Sequence, residues 1–112
     1  MIHLTADTRI LLATQPADFR QGIDGLAAVC RSQLLGEPRS GVLFVFINRR
    51  KTMIRTLAYD GSGFWLMTKR LSAGTFPYWP RSCEAVSPLA ARHLRQLLSG
   101  ELGDLKWQKT DP

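Results

Sequence analysis

The sequence is poor in the residue types from which metal sites and disulfide frameworks are built. Its 112 residues include two cysteines, Cys30 and Cys83, and two histidines, His3 and His93. The cysteines have neither metal-ligand spacing nor partners for a framework, and two histidines cannot supply a ligand cluster. We therefore expect no metal and no cofactor, and a reducing compartment. Cys30 lies on the apolar side of a predicted helix, where a free cysteine is usually a buried, inert thiol.

Long apolar runs are absent as well. No stretch approaches the length of a membrane span, and the N-terminus lacks the basic segment and apolar core of a signal peptide. Internal repeats and low-complexity segments are also missing. We therefore expect a cytoplasmic protein without a membrane partner, and the length predicts a single domain over residues 1–112.

The chain has none of the common catalytic motifs. It contains no Walker loop, no dinucleotide fingerprint and no His-x-x-x-His pair. A metal-dependent nuclease needs carboxylates that converge on two cations, whereas Asp7, Asp18, Asp24 and Asp60 are scattered over predicted loops, a helix and a turn. Asp60 is better explained as a turn residue that binds its own backbone. The sequence thus argues against an enzyme, and a site that assembles only in an oligomer is the remaining catalytic alternative.

Three predicted strands fall between residues 40 and 80. Val42–Ile47 is an unbroken apolar run, which suits a strand covered on both faces. Thr52–Tyr59 and Phe64–Leu71 alternate in polarity and are joined by the hairpin-type sequence Asp60-Gly61-Ser62-Gly63. The pattern predicts a three-strand antiparallel meander.

The register of this hairpin decides which side chains meet. If the turn pairs Tyr59 with Gly63, Leu57 faces Trp65, and the basic end of the second strand returns to the turn before the first. The cations expected to converge there are Arg49, Arg50, Lys51, Lys69 and Arg70, with Arg55 nearby. Their mutual repulsion would be relieved by a polyanion. The alternative is that the turn and edge are simply solvated.

Two amphipathic helices complete the predicted fold. The first follows Asp18, its expected N-cap, and the second begins at Ser87-Pro88 and ends at Gly100. A short strand, Arg9–Ala13, precedes both helices. We expect a compact α+β domain with an antiparallel meander sheet of about four strands, and with its two main helices packed mainly on one face.

The charge balance indicates the sign of the partner. The chain has 15 Lys+Arg against 9 Asp+Glu, a net charge of +6, and a sequence pI of about 10.0. A domain this basic is a candidate for contact with nucleic acid. An acidic protein partner would use the same charge.

Segments over more than half the chain resemble the small accessory protein TnpB, the second-reading-frame product of the insertion sequence 66 family. The strings DFRQGIDGL, SGVLFVF, YDGSGFWL and KRLSAGTF occur in the order and spacing of that family. Arg55, Ala58 and Arg39 depart from its usual pattern, although Arg55 keeps the expected charge. The resemblance implies a role in transposition alongside a separate, larger transposase that carries the acidic catalytic triad.

The resemblance also implies that DNA is a natural partner. Phosphate contacts are then expected from the basic residues Arg49, Arg50, Lys51, Arg55, Lys69 and Arg70, with Arg20 adding to them. No helix rich in Arg, Asn and Gln is evident, so binding should be mostly independent of base sequence. We predict a non-catalytic, DNA-binding accessory of transposition.

The alternative partner is the transposase or another protein of the same element. A scaffold would use an aromatic anchor, formed by Phe76, Tyr78 and Trp79 beside Trp65. The same aromatic residues would equally fit a structural role, as a cap on the open edge of the meander.

Overall fold

The computed structural model describes residues 9–34, 36–80, 84, 86–89 and 91–99. Along the chain the elements are β1 (Ile10–Ala13), α1 (Ile23–Ser32), β2 (Leu43–Ile47), β3 (Met53–Tyr59), β4 (Phe64–Arg70), β5 (Val86–Leu89) and α2 (Ala91–Ser99). The strands form one sheet in the order β4-β3-β2-β1-β5. Strands β1 and β2 are parallel because α1 crosses between them, and the other neighbours are antiparallel. The α+β class is confirmed, with a mixed, mostly antiparallel sheet.

Strands β2, β3 and β4 form the predicted meander, but the hairpin register differs from the prediction by one residue. Tyr59 pairs with Phe64, and Leu57 pairs with Leu66 rather than with Trp65. The cause lies in the turn, where the Asp60 carboxylate accepts hydrogen bonds from the backbone N–H groups of Ser62 and Gly63, each at 3.0 Å. All four residues from 60 to 63 therefore belong to the turn. A slip of one residue exchanges the two faces of β4.

The two helices cover opposite faces of the sheet, so the prediction that they pack mainly on one face was wrong. On one face, α1 contributes buried Leu26, Ala27 and Cys30. On the other face, α2 contributes buried Leu94 and Leu97. The physical reason is the unbroken apolar run of β2, all of which is buried. Its side chains alternate between the faces, and each face therefore needs its own cover.

Both helices begin later than the sequence pattern predicts. The residue before α1 is Gly22, whose position has no side-chain capping hydrogen bond. Asp18 instead binds the side chain and backbone of Arg20. Ser87 and Pro88 lie in β5 rather than at a helix start. Strand β5 is at the edge of the sheet, where a proline is tolerated because half of the backbone groups need no partner strand.

Candidate nucleic-acid interface

A groove opens where the loop before α1 approaches the β2–β3 turn and the adjacent ends of β3 and β4. It has a volume of about 720 Å³, and we call it the arginine groove. Basic residues line it from three separate segments: Arg20, Arg49, Arg50, Arg55 and Arg70. The structure thus brings together five of the seven cations that the sequence predicts for DNA contact.

Asn48 shapes the β2–β3 turn that carries Arg49 and Arg50. Its side-chain oxygen accepts hydrogen bonds from the N–H groups of Thr52 at 2.9 Å and Met53 at 3.0 Å, and its Nδ2 donates to the Thr52 hydroxyl at 2.9 Å. Asn48 is buried, whereas both arginines are exposed. Sequence reasoning missed this residue, although an Asn between an apolar run and a polar triplet is typical of a turn.

The loop at residues 17–20 forms the opposite wall of the groove. The Ala17 N–H donates to the Ile47 carbonyl oxygen at 2.9 Å, which joins the loop to the end of β2. Beyond it, the Arg20 guanidinium donates to both oxygens of the Asp18 carboxylate, from Nε at 3.0 and 3.2 Å and from Nη2 at 2.8 Å. These hydrogen bonds lower the pKa of Asp18 to about 2. Arg20 is fully exposed but already has an anionic partner, so a phosphate must compete with Asp18.

Arg55 connects the loop to the sheet. Its Nη1 donates to the carbonyl oxygens of Phe19 at 2.6 Å and Gln21 at 3.4 Å, and its Nε donates to the Thr68 hydroxyl at 3.0 Å. The guanidinium carbon lies 4.8 Å from the centre of the Phe19 ring. Nε and Nη1 carry three of the five N–H donors of Arg55, and both nitrogens already bind protein groups. Arg55 therefore mainly holds the groove wall in place and has few donors left for a phosphate.

The two predicted lysines lie outside the groove. Lys69 pairs with Ile54 on the face covered by α2, where it borders an apolar pocket of about 280 Å³ with Leu94 and Leu98. The one-residue shift in register places it there. Lys51 is exposed in the turn but does not line the groove. The predicted convergence at one site therefore holds for Arg49, Arg50 and Arg70, and not for the lysines.

The four predicted aromatic anchors do not share a surface. Phe76 and Trp79 are buried in the core on the α2 face, and the Trp79 indole N–H donates to the Ala13 carbonyl oxygen at 2.9 Å. Tyr78 is half-buried. Trp65 is 45% exposed near the other end of β4, where its indole N–H donates to Asp60 at 2.7 Å. Phe76 and Trp79 are core residues because the sheet face beneath them is apolar and needs a cover.

The family model for the IS66 Orf2 like protein matches residues 8–110. The chain belongs to this family. It is 45% identical over 80 residues to the uncharacterized protein y4jC of Sinorhizobium fredii (strain NBRC 101917 / NGR234), covering 71% of this chain and 68% of that protein. It is 35% identical over 100 residues to the uncharacterized protein y4hO of the same strain, covering 89% and 86%. No solved structure shows significant similarity to the chain.

Membership of the IS66 Orf2-like family confirms the resemblance and indicates an accessory role in transposition. The family is one of accessory proteins rather than of known enzymes. Within the described residues of this member, no group of three His, Cys, Asp or Glu side chains is placed to hold a metal ion. Neither described helix has the length and apolar character that crossing a membrane requires.

Proposed function

We propose that this IS66 Orf2-like protein binds the DNA backbone through the arginine groove and acts, without catalysis, as an accessory of the transposase of its element. The observation that carries the proposal is the convergence of five arginines from three segments on one groove. Residues so far apart in sequence meet there because the Asn48 turn, the Arg55 hydrogen bonds and the β3–β4 pairing each hold one segment in place.

The chemistry of the groove suits phosphodiesters. A guanidinium stays charged at any working pH and binds two phosphate oxygens with parallel hydrogen bonds. Arg49, Arg50 and Arg70 are exposed, and the described residues include no ion-pair partner for any of the three. These three are therefore the primary contacts, whereas Arg20 shares its charge with Asp18 and Arg55 serves the loop.

The groove is built from a turn, a loop and strand ends rather than from a helix. Reading of base edges in the major groove is most often done by a helix or a two-stranded ribbon that enters it. Phosphate contacts alone fix the position of a protein on DNA without carrying sequence information. We therefore expect binding to duplex DNA that depends little on base sequence.

The test compares two triple variants with equal loss of charge. One replaces Arg49, Arg50 and Arg70 with Ala. The control replaces Arg9, Arg31 and Arg95, which are exposed and lie outside the groove. Fluorescence anisotropy of a labelled duplex should show a loss of affinity of roughly tenfold or more for the groove variant only, because it removes phosphate contacts and not just net charge. Equal losses in both variants would contradict the proposal.

A further inference from the structure

The outer edge of β4 has no strand beside it in the part of the chain that the structure describes. Strand β4 ends the sheet order and pairs with β3 alone. It is seven residues long, and Trp65 and Met67 are 45% and 42% exposed next to one another on one face. The other edge strand, β5, has four residues and contains Pro88. A long, exposed edge with apolar side chains is a template for pairing with another strand.

The backbone of β4 has a defined set of groups free for such pairing. The Asp60 N–H donates to the Gly63 carbonyl oxygen at 3.1 Å, and the Leu71 N–H donates to the Thr52 carbonyl oxygen at 3.0 Å. These two hydrogen bonds and the register between them show which residues of β4 direct their backbone N–H and C=O groups towards β3 and which direct them away. The residues whose N–H and C=O groups point away from β3 are Phe64, Leu66, Thr68 and Arg70.

The order of side chains along β4 is self-complementary. The strand begins with the aromatic pair Phe64 and Trp65 and ends with the basic pair Lys69 and Arg70. We propose that a second copy of this chain pairs with this edge, antiparallel, around a two-fold axis at Met67. Trp65 then faces Lys69 of the partner subunit, and Phe64 faces Arg70 of the partner subunit. A cation lying over an aromatic face is attractive, so Lys69 beside Trp65 favours this pairing, whereas Arg70 stays at the arginine groove. The basic ends of the two strands lie apart.

This register uses all the free backbone groups of β4. It makes hydrogen-bonded pairs of Phe64 with Arg70 of the partner subunit, and of Leu66 with Thr68 of the partner subunit. Met67 and Trp65 fall at the non-hydrogen-bonded positions, where facing side chains approach most closely. A pairing of two parallel copies would instead place the basic ends side by side. The charge pattern therefore favours the antiparallel second copy.

The dimer adds to the proposed function by placing two arginine grooves together. Only this consequence, and not the strand pairing itself, rests on the proposed DNA binding. The two-fold axis of an antiparallel strand pair is perpendicular to the sheet, so equivalent faces of both copies point the same way. Arg55 and Arg70 lie on the face covered by α1, together with the rest of the arginine groove. The dimer therefore presents two arginine grooves on one side of a continuous sheet, where a single duplex can contact both.

Sedimentation equilibrium without DNA tests the dimer independently of DNA binding. The parent protein should show a monomer–dimer equilibrium. Met67→Lys and Met67→Glu should each weaken the dimer by about tenfold or more, because like charges then face each other at the axis. An equimolar mixture of the two variants should recover it. The matched controls Ala28→Lys and Ala28→Glu, on the exposed side of α1, should dimerise like the parent.

Several outcomes would overturn the dimer. A parent that stays monomeric at every concentration means that another segment or partner covers the edge. A dimer that persists in Met67→Lys uses another surface. A mixture of the Lys and Glu variants that stays monomeric would show that position 67 does not face itself across the axis. A parent that dimerises, together with a double variant Arg49→Ala and Arg50→Ala that leaves β4 intact and binds DNA like the parent, would contradict only the DNA proposal.

Disulfide cross-linking tests the register. In a Cys83→Ser background, Met67→Cys should oxidise to a covalent dimer, since facing Cα atoms at such a position lie about 4.5 Å apart, within reach of a disulfide. Trp65→Cys should not, because its two copies are roughly 13 Å apart along the strands. Cys30 is buried and does not interfere. Equal cross-linking of both variants would contradict the proposed register.

Discussion

The guanidinium of Arg55 hydrogen-bonds to the carbonyl oxygen of Phe19 at 2.6 Å, across 36 positions of sequence. The same guanidinium lies over the Phe19 ring and binds Thr68 of β4 through Nε. A single side chain thus joins the loop before α1 to two strands of the sheet. This contact sets the width of the arginine groove, because the loop forms one wall and the strand ends form the other.

Replacing Arg55 with Lys should destabilise the protein although the charge is kept. An ammonium group cannot reproduce the fork of donors that reaches Phe19, Gln21 and Thr68 together. Loss of charge-assisted hydrogen bonds at a half-buried site should lower the free energy of unfolding by about 1–3 kcal/mol, measured by urea denaturation. The matched control is Arg70→Lys, since Arg70 is exposed. Equal stability of Arg55→Lys and the parent would show that the hydrogen bonds of Arg55 do not contribute to the free energy of unfolding.

Replacing Asp18 with Asn should strengthen DNA binding several-fold, because Arg20 loses its competing carboxylate and becomes free for phosphate. The hydrogen bonds from Arg20 lower the pKa of Asp18 to about 2. The stability that this ionised carboxylate adds to the fold is complete above the ordinary carboxyl pKa and is lost only as the pH falls towards 2. Between pH 5 and 8 Asp18 is therefore always ionised and always competes with phosphate for Arg20. The ratio of the affinities of variant and parent should consequently be constant between pH 5 and 8. A ratio that changes over this range would mean that Asp18 titrates there.

Substitutions in the aromatic segment at residues 76–79 should differ widely in how much they lower the free energy of unfolding. Phe76→Ala should cost about 3–5 kcal/mol, because a large, fully buried ring is removed from the core. Trp79→Phe should cost about 1 kcal/mol or more, since the Ala13 carbonyl oxygen loses its donor. Tyr78→Ala should cost less than Phe76→Ala, because its ring is only half-buried. If Phe76→Ala instead keeps the parent's stability and loses the transposase, the segment is a scaffold anchor.

Local patterns in the sequence were sufficient for β2, β3, β4 and the order of the meander. They did not determine the register, because Asp60 uses its side chain to hold a four-residue turn. They also missed β5, since Ser87-Pro88 has the composition of a helix start and only pairing with β1 makes it a strand. Short strands of this kind are specified by their neighbours rather than by their own residues.

The sequence was sufficient to predict which charged residues lie at the site, but not the contacts that these residues make with distant parts of the chain. Arg49 and Arg50 follow β2 after a single residue, Asn48, so their place at one end of the sheet follows from the strand pattern. The contacts of Arg55 join residues far apart in the chain, and no local signal distinguishes them from phosphate contacts. The burial of Trp79 is equally invisible, because an aromatic residue between prolines has the same composition in a core and in an anchor.

The most direct test of the arginine groove is the salt dependence of DNA affinity. Counterion release makes the logarithm of the binding constant fall linearly with the logarithm of the salt concentration, with nearly one unit of slope for each phosphate contact. Replacing Arg49, Arg50 and Arg70 with Ala should flatten the slope by up to about three units. The variant of Arg9, Arg31 and Arg95 should keep the parent's slope. A groove variant whose affinity and slope equal those of the parent would contradict the assignment of this groove to DNA.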